Sequence, residues 1–161
     1  MAWNKSQQIE PITDKTKLRN RALYWLGKKD YSIRDFETKL NKVCEIEELK
    51  AELLADFIAK QWLDDNRYMQ GFVRQKLSAG LGRFRIANEL KQHGIKSADI
   101  ELLFEQQEID WFELAKAAYQ KKYADKPVTD YKERAKRYRY MQYRGFSPDQ
   151  ISYAMDDDSS F

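Results

Sequence analysis

Cysteine, histidine, glycine and proline are scarce in this chain of 161 residues, which has one, one, six and three of them respectively. A zinc site usually takes three or four protein ligands, mostly Cys and His, and an internal disulfide needs two cysteines. The sequence therefore predicts neither a metal site nor a disulfide, and it suits a reducing compartment. So few glycines and prolines also argue against a β-sandwich, which needs many tight turns.

Long apolar runs are missing as well. None approaches the roughly 18 residues that a membrane-spanning helix needs, and the first residues lack the apolar core of a signal peptide. We therefore expect a soluble cytoplasmic protein that has no membrane partner. Charged residues make up 34% of the chain and hydrophobic residues 42%, a balance that excludes a disordered chain and favours helices with charged outer faces.

Apolar residues at helical spacing predict nine helices in three groups of three. The run Ser147–Gln150 combines an N-cap, a proline at the first helical position and a glutamine at the third. Gly94 and Gly145 follow the last turns of two helices, where glycine adopts the left-handed conformation at little cost. The other predicted helix starts are at Asp14, Ser32, Asp64 or Asp65, Ser97 and Asp110.

The groups of helices repeat with a period near 50 residues. Leu90–Ile95 matches Met141–Phe146 at an offset of 51, and Leu40–Cys44 precedes Leu90–Gly94 by 50. This period is typical of tandem helical units, so we predict an all-α fold of three tandem three-helix repeats in an elongated array. The predicted segments are a flexible arm over 1–13, repeats over 14–63, 64–108 and 109–155, and an acidic tail over 156–161.

No set of residues points to catalysis. Gly80–Gly82 lacks the strand and the third glycine of a dinucleotide-binding loop, so it is interpreted as a plain loop. Asp64–Asp65 could hold magnesium in a hydrolase, but at a helix start a capping role is the stronger interpretation. Cys44 and His93 occupy equivalent positions of different repeats, which argues against a nucleophile–base pair. We expect a protein that is not an enzyme and has no cofactor.

Charge is distributed unevenly along the chain, although the net charge is only +3. Residues 67–96 contain seven Lys or Arg and one acidic residue, whereas residues 97–113 contain six acidic residues and no Lys or Arg. Residues 121–144 contain nine basic and three acidic residues. Two basic segments separated by an acidic one favour a polyanion or a charged protein surface as the partner.

The second basic segment predicts a row of cations along one helix. Lys132, Lys136 and Arg139 lie at i, i+4 and i+7, which places them on one side of the helix. Cations interleaved with tyrosines can bind phosphates and stack bases, and an ordinary solvated face is the alternative. Along or beside the row lie Arg137, Tyr140, Tyr143 and Arg144. The opposite face, which is predicted to pack on the core, consists of Tyr131, Ala135, Tyr138 and Met141.

Cations of the middle repeat have two possible roles. Arg67 and Arg74 share a helix flank, and Arg85 points away from the predicted apolar face of its helix. Lys76 falls within an apolar stripe, so its ammonium group must reach solvent or find a carboxylate. These cations either contact a partner or brace the fold by pairing with Glu89 or the acidic segment.

Several short motifs follow one another in a fixed order along the chain. They are Ser32–Leu40, Trp62–Tyr68, Phe72–Arg74, Gly80, Arg85–Leu90, Gly94–Ile95 and Arg144–Ser147. This ordered set, spread over residues 18–155, resembles the RecX family of bacterial recombination regulators, with Cys44 where the family usually has a glycine. The resemblance implies a curved array of helical repeats that binds the RecA filament on single-stranded DNA. It also implies inhibition of filament growth, ATP hydrolysis, strand exchange and coprotease activity.

We therefore expect a regulator of RecA, with an independent helical nucleic-acid-binding protein as the alternative. The expected partners are the RecA filament and also single-stranded or double-stranded DNA, and we expect a monomer. The candidate RecA-interface residues are Arg67, Arg74, Lys76, Arg85 and Lys91. The candidates for contact with DNA or an acidic protein surface are Lys132, Lys136, Arg137, Arg139 and Arg144.

Overall fold

The computed structural model describes residues 10–124 and 126–156, and within these ranges the chain forms nine α-helices and no strand. The predicted all-α class is confirmed. Residues 1–9 of the expected arm, including Trp3, and residues 157–161 of the expected tail lie outside the described residues. The helices are α1 (Lys15–Leu26), α2 (Ile33–Asn41), α3 (Glu47–Ala59), α4 (Asp65–Ser78), α5 (Arg83–Gln92), α6 (Ser97–Gln106), α7 (Trp111–Tyr123), α8 (Tyr131–Tyr143) and α9 (Pro148–Ala154).

Most predicted helix starts are confirmed by hydrogen bonds to a capping side chain. At the start of α9, Ser147 and Gln150 form the complete capping box, in which each side chain accepts the other residue's backbone N–H. α6 begins at Ser97 as predicted, although the preceding Lys96 makes no side-chain cap bond. Three other predicted caps are confirmed, because each side chain accepts the backbone N–H of the residue three positions further along the chain. They are Asp14, Ser32 and Asp110.

The chain divides into two compact units, Met1–Tyr68 and Met69–Phe161, and α4 begins in the first and continues in the second. The repeat boundaries expected from the sequence, after residues 63 and 108, stay a prediction. Among the helices of the described residues, none is long and apolar enough to cross a bilayer.

Phe36 of α2 lies at the centre of the first unit's core and is fully buried. Its ring packs edge-on against Trp25 and Tyr31, with centroids 5.9 and 5.7 Å apart, and lies 5.9 Å from the ring of Phe57. Cys44 is buried in the same cluster. Aromatic side chains from three helices thus hold α1, α2 and α3 around one core.

Within the second unit, a close backbone approach joins the loop before α5 to the loop after α8. The Gly82 N–H donates to the Arg144 carbonyl at 2.8 Å, and the Phe84 N–H donates to the Gly145 carbonyl at 3.1 Å. Gly145 has a φ of 100°, and a Cβ atom on Gly82 would lie 2.5 Å from the Gly145 carbonyl oxygen. Both positions therefore need glycine. This junction fixes the second helix of the middle group beside that of the third.

Candidate functional site

Glu89 of α5 holds two of the candidate cations. The Lys76 ammonium lies 3.3 Å from Glu89 Oε2, and Arg85 Nε donates to Glu89 Oε1 at 3.2 Å. Burial alone would raise the pKa of Glu89, but the hydrogen bonds and charges of Arg85 and Lys76 outweigh it and hold that pKa below its ordinary value. Lys76 thus finds the carboxylate that its position in an apolar stripe requires. For these two cations the contacts match the bracing role rather than a free interface.

Arg67 braces the first unit. Its guanidinium donates to the backbone carbonyls of Gln61 at 2.8 Å and Trp62 at 3.0 Å, and it lies 3.7 Å from the Asp30 carboxylate. Gln61 has a φ of 58°, so Arg67 binds carbonyls at a turn with an unusual backbone conformation. The Arg67 guanidinium therefore contacts two carbonyl groups and one carboxylate within the protein, although its side chain is about half exposed.

Arg74 and Lys91 differ from the other middle-repeat candidates. Both side chains are exposed, on α4 and in the last turn of α5 respectively. Within residues 10–124 and 126–156, neither has an ion pair or a hydrogen bond through its side chain. Their charges face solvent and are available to a partner.

The predicted cation row of α8 is on the surface. Lys132, Lys136 and Arg139 are all exposed, and none forms an ion pair with another described residue. Tyr143, which continues the row, is 74% exposed, but the Arg85 guanidinium covers one side of its ring at 4.9 Å from the centroid. The row therefore exposes three positive charges to solvent, and Tyr143 at its end already forms a cation–π contact with Arg85.

The prediction that Arg137 lies on a DNA-facing surface was wrong, because its side chain lies in the core. Its side chain is only 3% exposed, and its Nε pairs with Glu133 at 3.0 Å. The guanidinium also donates to the Tyr119 hydroxyl at 2.9 Å and to the backbone carbonyls of Lys126 and Pro127 at 2.9 and 3.3 Å. Burial alone would lower the pKa of Arg137, but the hydrogen bonds and charges of Tyr119 and Glu133 outweigh it and raise that pKa.

The face of α8 that contacts the core is also different from the predicted one. Tyr131 is 75% exposed, Ala135 is exposed, and Tyr138 is only partly buried. The buried line instead runs through Arg137 and Met141, one helical turn apart. The prediction is confirmed for Met141, which is fully buried, and Tyr138 packs against the core with part of its side chain. It was wrong for Tyr131 and Ala135, which are exposed, and for Arg137, which has enough acceptors around it to be buried.

Arg144 links the second and third groups of helices within the second unit. Its guanidinium donates to the Ala79 carbonyl, and a Cβ on Gly80 would lie 3.2 Å from the same guanidinium. The side chain is partly buried and is committed to the loop before α5. It contributes to the junction described above rather than to the exposed row.

Asp64 and Asp65 each accept backbone N–H groups at the start of a helix, Asp64 at α4 and Asp65 at α2. Asp64 Oδ1 accepts the backbone N–H groups of Asn66 and Arg67 at 3.0 and 3.2 Å, as a capping residue does. Asp65 Oδ1 accepts the Ile33 N–H at the start of α2, at 2.8 Å. In the part of the chain that the structure describes, no three His, Cys, Asp or Glu side chains are grouped as metal ligands would be.

Cys44 and His93 each have a local structural role. The thiol of Cys44 is buried, 3.9 Å from the Ile46 carbonyl. His93 caps the C-terminus of α5 and packs edge-on against Phe72, with ring centroids 5.5 Å apart. A cation at that helix end would be favoured by the helix dipole.

Two family models match the chain, the second three-helix domain of RecX over residues 64–102 and the third over residues 108–155. A protein of Vibrio parahaemolyticus named Regulatory protein RecX is 38% identical over 138 residues, 85% of this chain and 88% of its own. A protein of the same name from Actinobacillus pleuropneumoniae is 39% identical, over 86% of this chain and 91% of its own.

Solved structures show the same fold. The crystal structure of RecX from Lactobacillus salivarius matches with a TM-score of 0.72 at 19% identity, over 91% of this chain and 97% of that one. A second crystal structure of a regulatory protein RecX also has a TM-score of 0.72, at 26% identity, over 88% of this chain and 71% of that one.

Proposed function

The chain belongs to the RecX family of regulatory proteins, and we propose that it binds the RecA filament on single-stranded DNA and inhibits it. The inhibited activities are filament growth, ATP hydrolysis, strand exchange and coprotease activity. The observation that carries the proposal is the 38% identity to a Regulatory protein RecX along 85% of the chain. In this proposal the protein acts by binding and catalyses no reaction of its own.

Exposed cations of the second unit support a contact with RecA. Arg74 and Lys91 carry charges that no described acidic residue neutralises, so binding an acidic protein surface would cost no internal ion pair. Lys76 and Arg85 pair with Glu89 instead, and Arg67 binds residues of the first unit, so the charges of these three cations are engaged within the protein. We therefore assign the direct contact to Arg74 and Lys91.

The test is a titration of the protein into RecA, ATP and single-stranded DNA while ATP hydrolysis is measured. We expect suppression at less than one copy per RecA, because a protein that stops growth need not cover every subunit. The protein alone should hydrolyse no ATP. Unchanged RecA hydrolysis at excess protein would refute the proposal.

Charge-reversal variants locate the contact. Arg74→Glu with Lys91→Glu should weaken inhibition strongly, with a change in unfolding free energy within about 0.5 kcal/mol, since both side chains are exposed. Lys17→Glu with Lys42→Glu reverses two exposed cations of the first unit, changes the net charge by the same amount and should inhibit as the wild type does. Equal loss in that control would point to net charge rather than to this contact.

A second candidate function is independent binding to nucleic acid through the α8 row. The observation that favours it is the exposure of Lys132, Lys136 and Arg139, none of which is ion-paired to a described residue. The two functions differ in whether tight binding to DNA needs RecA on that DNA. Binding that is equally tight without RecA would favour the second.

A further inference from the structure

The outer faces of α8 and α6 carry opposite charges around apolar centres. The face of α8 has a shallow groove with a volume of about 410 Å³. We propose that this groove binds the outer face of α6 in a second copy of the chain, with Leu102 of one copy inserted into the groove of the other. The lining residues of the groove are Tyr131, Arg134, Ala135, Tyr138 and Arg139.

An exposed leucine lies at the centre of the outer face of α6. The side chain of Leu102 is 52% exposed. At about 100° per residue, Asp99 and Glu105 lie about 60° to either side of it, one roughly a turn before it and the other roughly a turn after it. Both acidic residues are exposed, and neither has an ion pair with a described residue. Leu102 is therefore an apolar projection between two carboxylates that have kept their charge.

The groove on α8 offers a matching depression. Ala135 lies between the two tyrosines, about one turn after Tyr131 and one turn before Tyr138, and its small side chain leaves room for Leu102. Tyr131 is 75% exposed, whereas Tyr138 packs on the core of the second unit with part of its side chain, which holds that wall of the groove in place. A side chain of one helix inserted between the side chains of another is the ordinary geometry of helix packing.

Cations lie along both edges of the groove. Lys132, Lys136 and Arg139 follow one edge, where they are exposed and have no ion pair with a described residue. Arg134 lines the other edge. With Leu102 in the groove, one of the two carboxylates beside it faces the row of three cations and the other faces Arg134.

A second copy of the chain fits this groove better than a nucleic acid does. Residues 97–113 contain six acidic residues and no Lys or Arg, so another copy carries the acidic surface that the cations need. Binding to nucleic acid would neutralise the cations of α8 but would leave Leu102 exposed on α6. Contact between two copies covers both surfaces at once.

The contact joins two different surfaces, so each copy can bind a further copy through the surface that it has left. Exposed ion pairs contribute at most about 1 kcal/mol each, so the association is weak and the protein is a monomer in dilute solution. The inference goes beyond the proposed function, because the contact needs no RecA. Its failure would leave RecA inhibition through Arg74 and Lys91 intact, and the two are measured in separate assays.

The experiment measures the mass of the protein by sedimentation equilibrium, up to millimolar concentration and at low salt, without RecA or nucleic acid. The wild type should form species larger than a monomer, and high salt should dissociate them. Asp99→Lys with Glu105→Lys should remain a monomer, and so should Lys136→Glu with Arg139→Glu, because like charges then meet. An equimolar mixture of these two variants should associate again, because one keeps the natural groove and the other keeps the natural face of α6.

Two further variants test the apolar centre without a change of charge. Leu102→Ser removes the projection and Ala135→Gln fills the groove, so each should weaken association by about 10-fold or more. Ile58→Ser is the control, because it removes an apolar side chain of the first unit that is 41% exposed, and it should associate as the wild type does.

Three results would overturn the proposal. One is a wild type that stays monomeric at millimolar concentration, and another is a mixture of the two charge variants that does not associate. The third is association of Ala135→Gln at the strength of the wild type. If that variant also lost RecA inhibition or binding to an oligothymidine, the groove would belong to RecA or to nucleic acid instead of a second copy.

Discussion

Arg137 connects several parts of the third group of helices. It joins α8 to α7 through the Tyr119 hydroxyl and to the α7–α8 loop through the carbonyls of Lys126 and Pro127. Its guanidinium also lies 4.4 Å from the centroid of the Tyr123 ring. A buried cation with this many acceptors fixes geometry, because each acceptor loses its donor if the cation is removed.

Replacing Arg137 should therefore destabilise the fold. We expect Arg137→Ala to lower the unfolding free energy by about 3 to 5 kcal/mol, because a buried pair is broken and its partners stay buried. Arg137→Lys should recover only part of this, since an ammonium lacks the planar fork. Urea denaturation measures both. Arg139→Ala, on the exposed side of the same helix, should change stability by no more than about 0.5 kcal/mol.

Glu89 gives the second unit a defined dependence on pH. Its pKa in the folded protein lies below the ordinary value of 4.5. Its contribution is therefore present above that ordinary pKa and is lost as the pH falls through the folded value. Glu89→Gln should lower the unfolding free energy by about 1 to 3 kcal/mol at neutral pH. The difference between variant and wild type should shrink as acid is added below pH 4.5, and a difference independent of pH would contradict the ion-pair account.

Single residues were predictable where the cause is local. Lys76 could be assigned a carboxylate because its own position in an apolar stripe demands one, and Glu89 supplies it. Arg137 could not be placed, because its burial depends on Tyr119 and on two loop carbonyls that only the folded chain brings together. Glu133, four residues before Arg137, was the available signal, since a buried arginine needs a carboxylate nearby.

At the scale of elements, helix starts were predicted better than helix faces. The capping bonds of Asp14 and Ser147 span three residues, so the sequence alone contains both partners. The buried face of α8 depends instead on what lies opposite it. Its tyrosines have polar ends that tolerate water, so their spacing does not distinguish a core stripe from an exposed groove.

The junction of α5 and α8 makes a sharp prediction at the same scale. In Gly82→Ala the new methyl group would lie 2.5 Å from the Gly145 carbonyl, so the backbone must shift, and we expect a loss of about 1 to 3 kcal/mol. Gly71→Ala is the control, because nothing lies within 4 Å of its added Cβ and alanine favours the interior of α4 by about 1 kcal/mol. Thermal melting should rank Gly71→Ala above wild type and Gly82→Ala below it. The reverse order would contradict the close approach.

At the scale of the whole molecule, charge pattern and family agree on a regulatory binding protein but contribute differently. The alternation of basic and acidic segments along 161 residues pointed to a charged partner without identifying it. The motifs between residues 62 and 95 identified the family, which the relatives confirm. The structure then divides the candidate cations into two kinds. Arg67 and Arg85 form contacts within the protein, whereas Arg74 is exposed.

The central claim is that this protein binds the RecA filament and stops its growth. The most direct measurement is the extension rate of fluorescent RecA filaments on single-stranded DNA as the protein is added. We predict that extension stops at less than one copy of the protein per RecA, and that Arg74→Glu with Lys91→Glu needs far more protein for the same effect. Extension that continues at the uninhibited rate in excess wild-type protein would contradict the account.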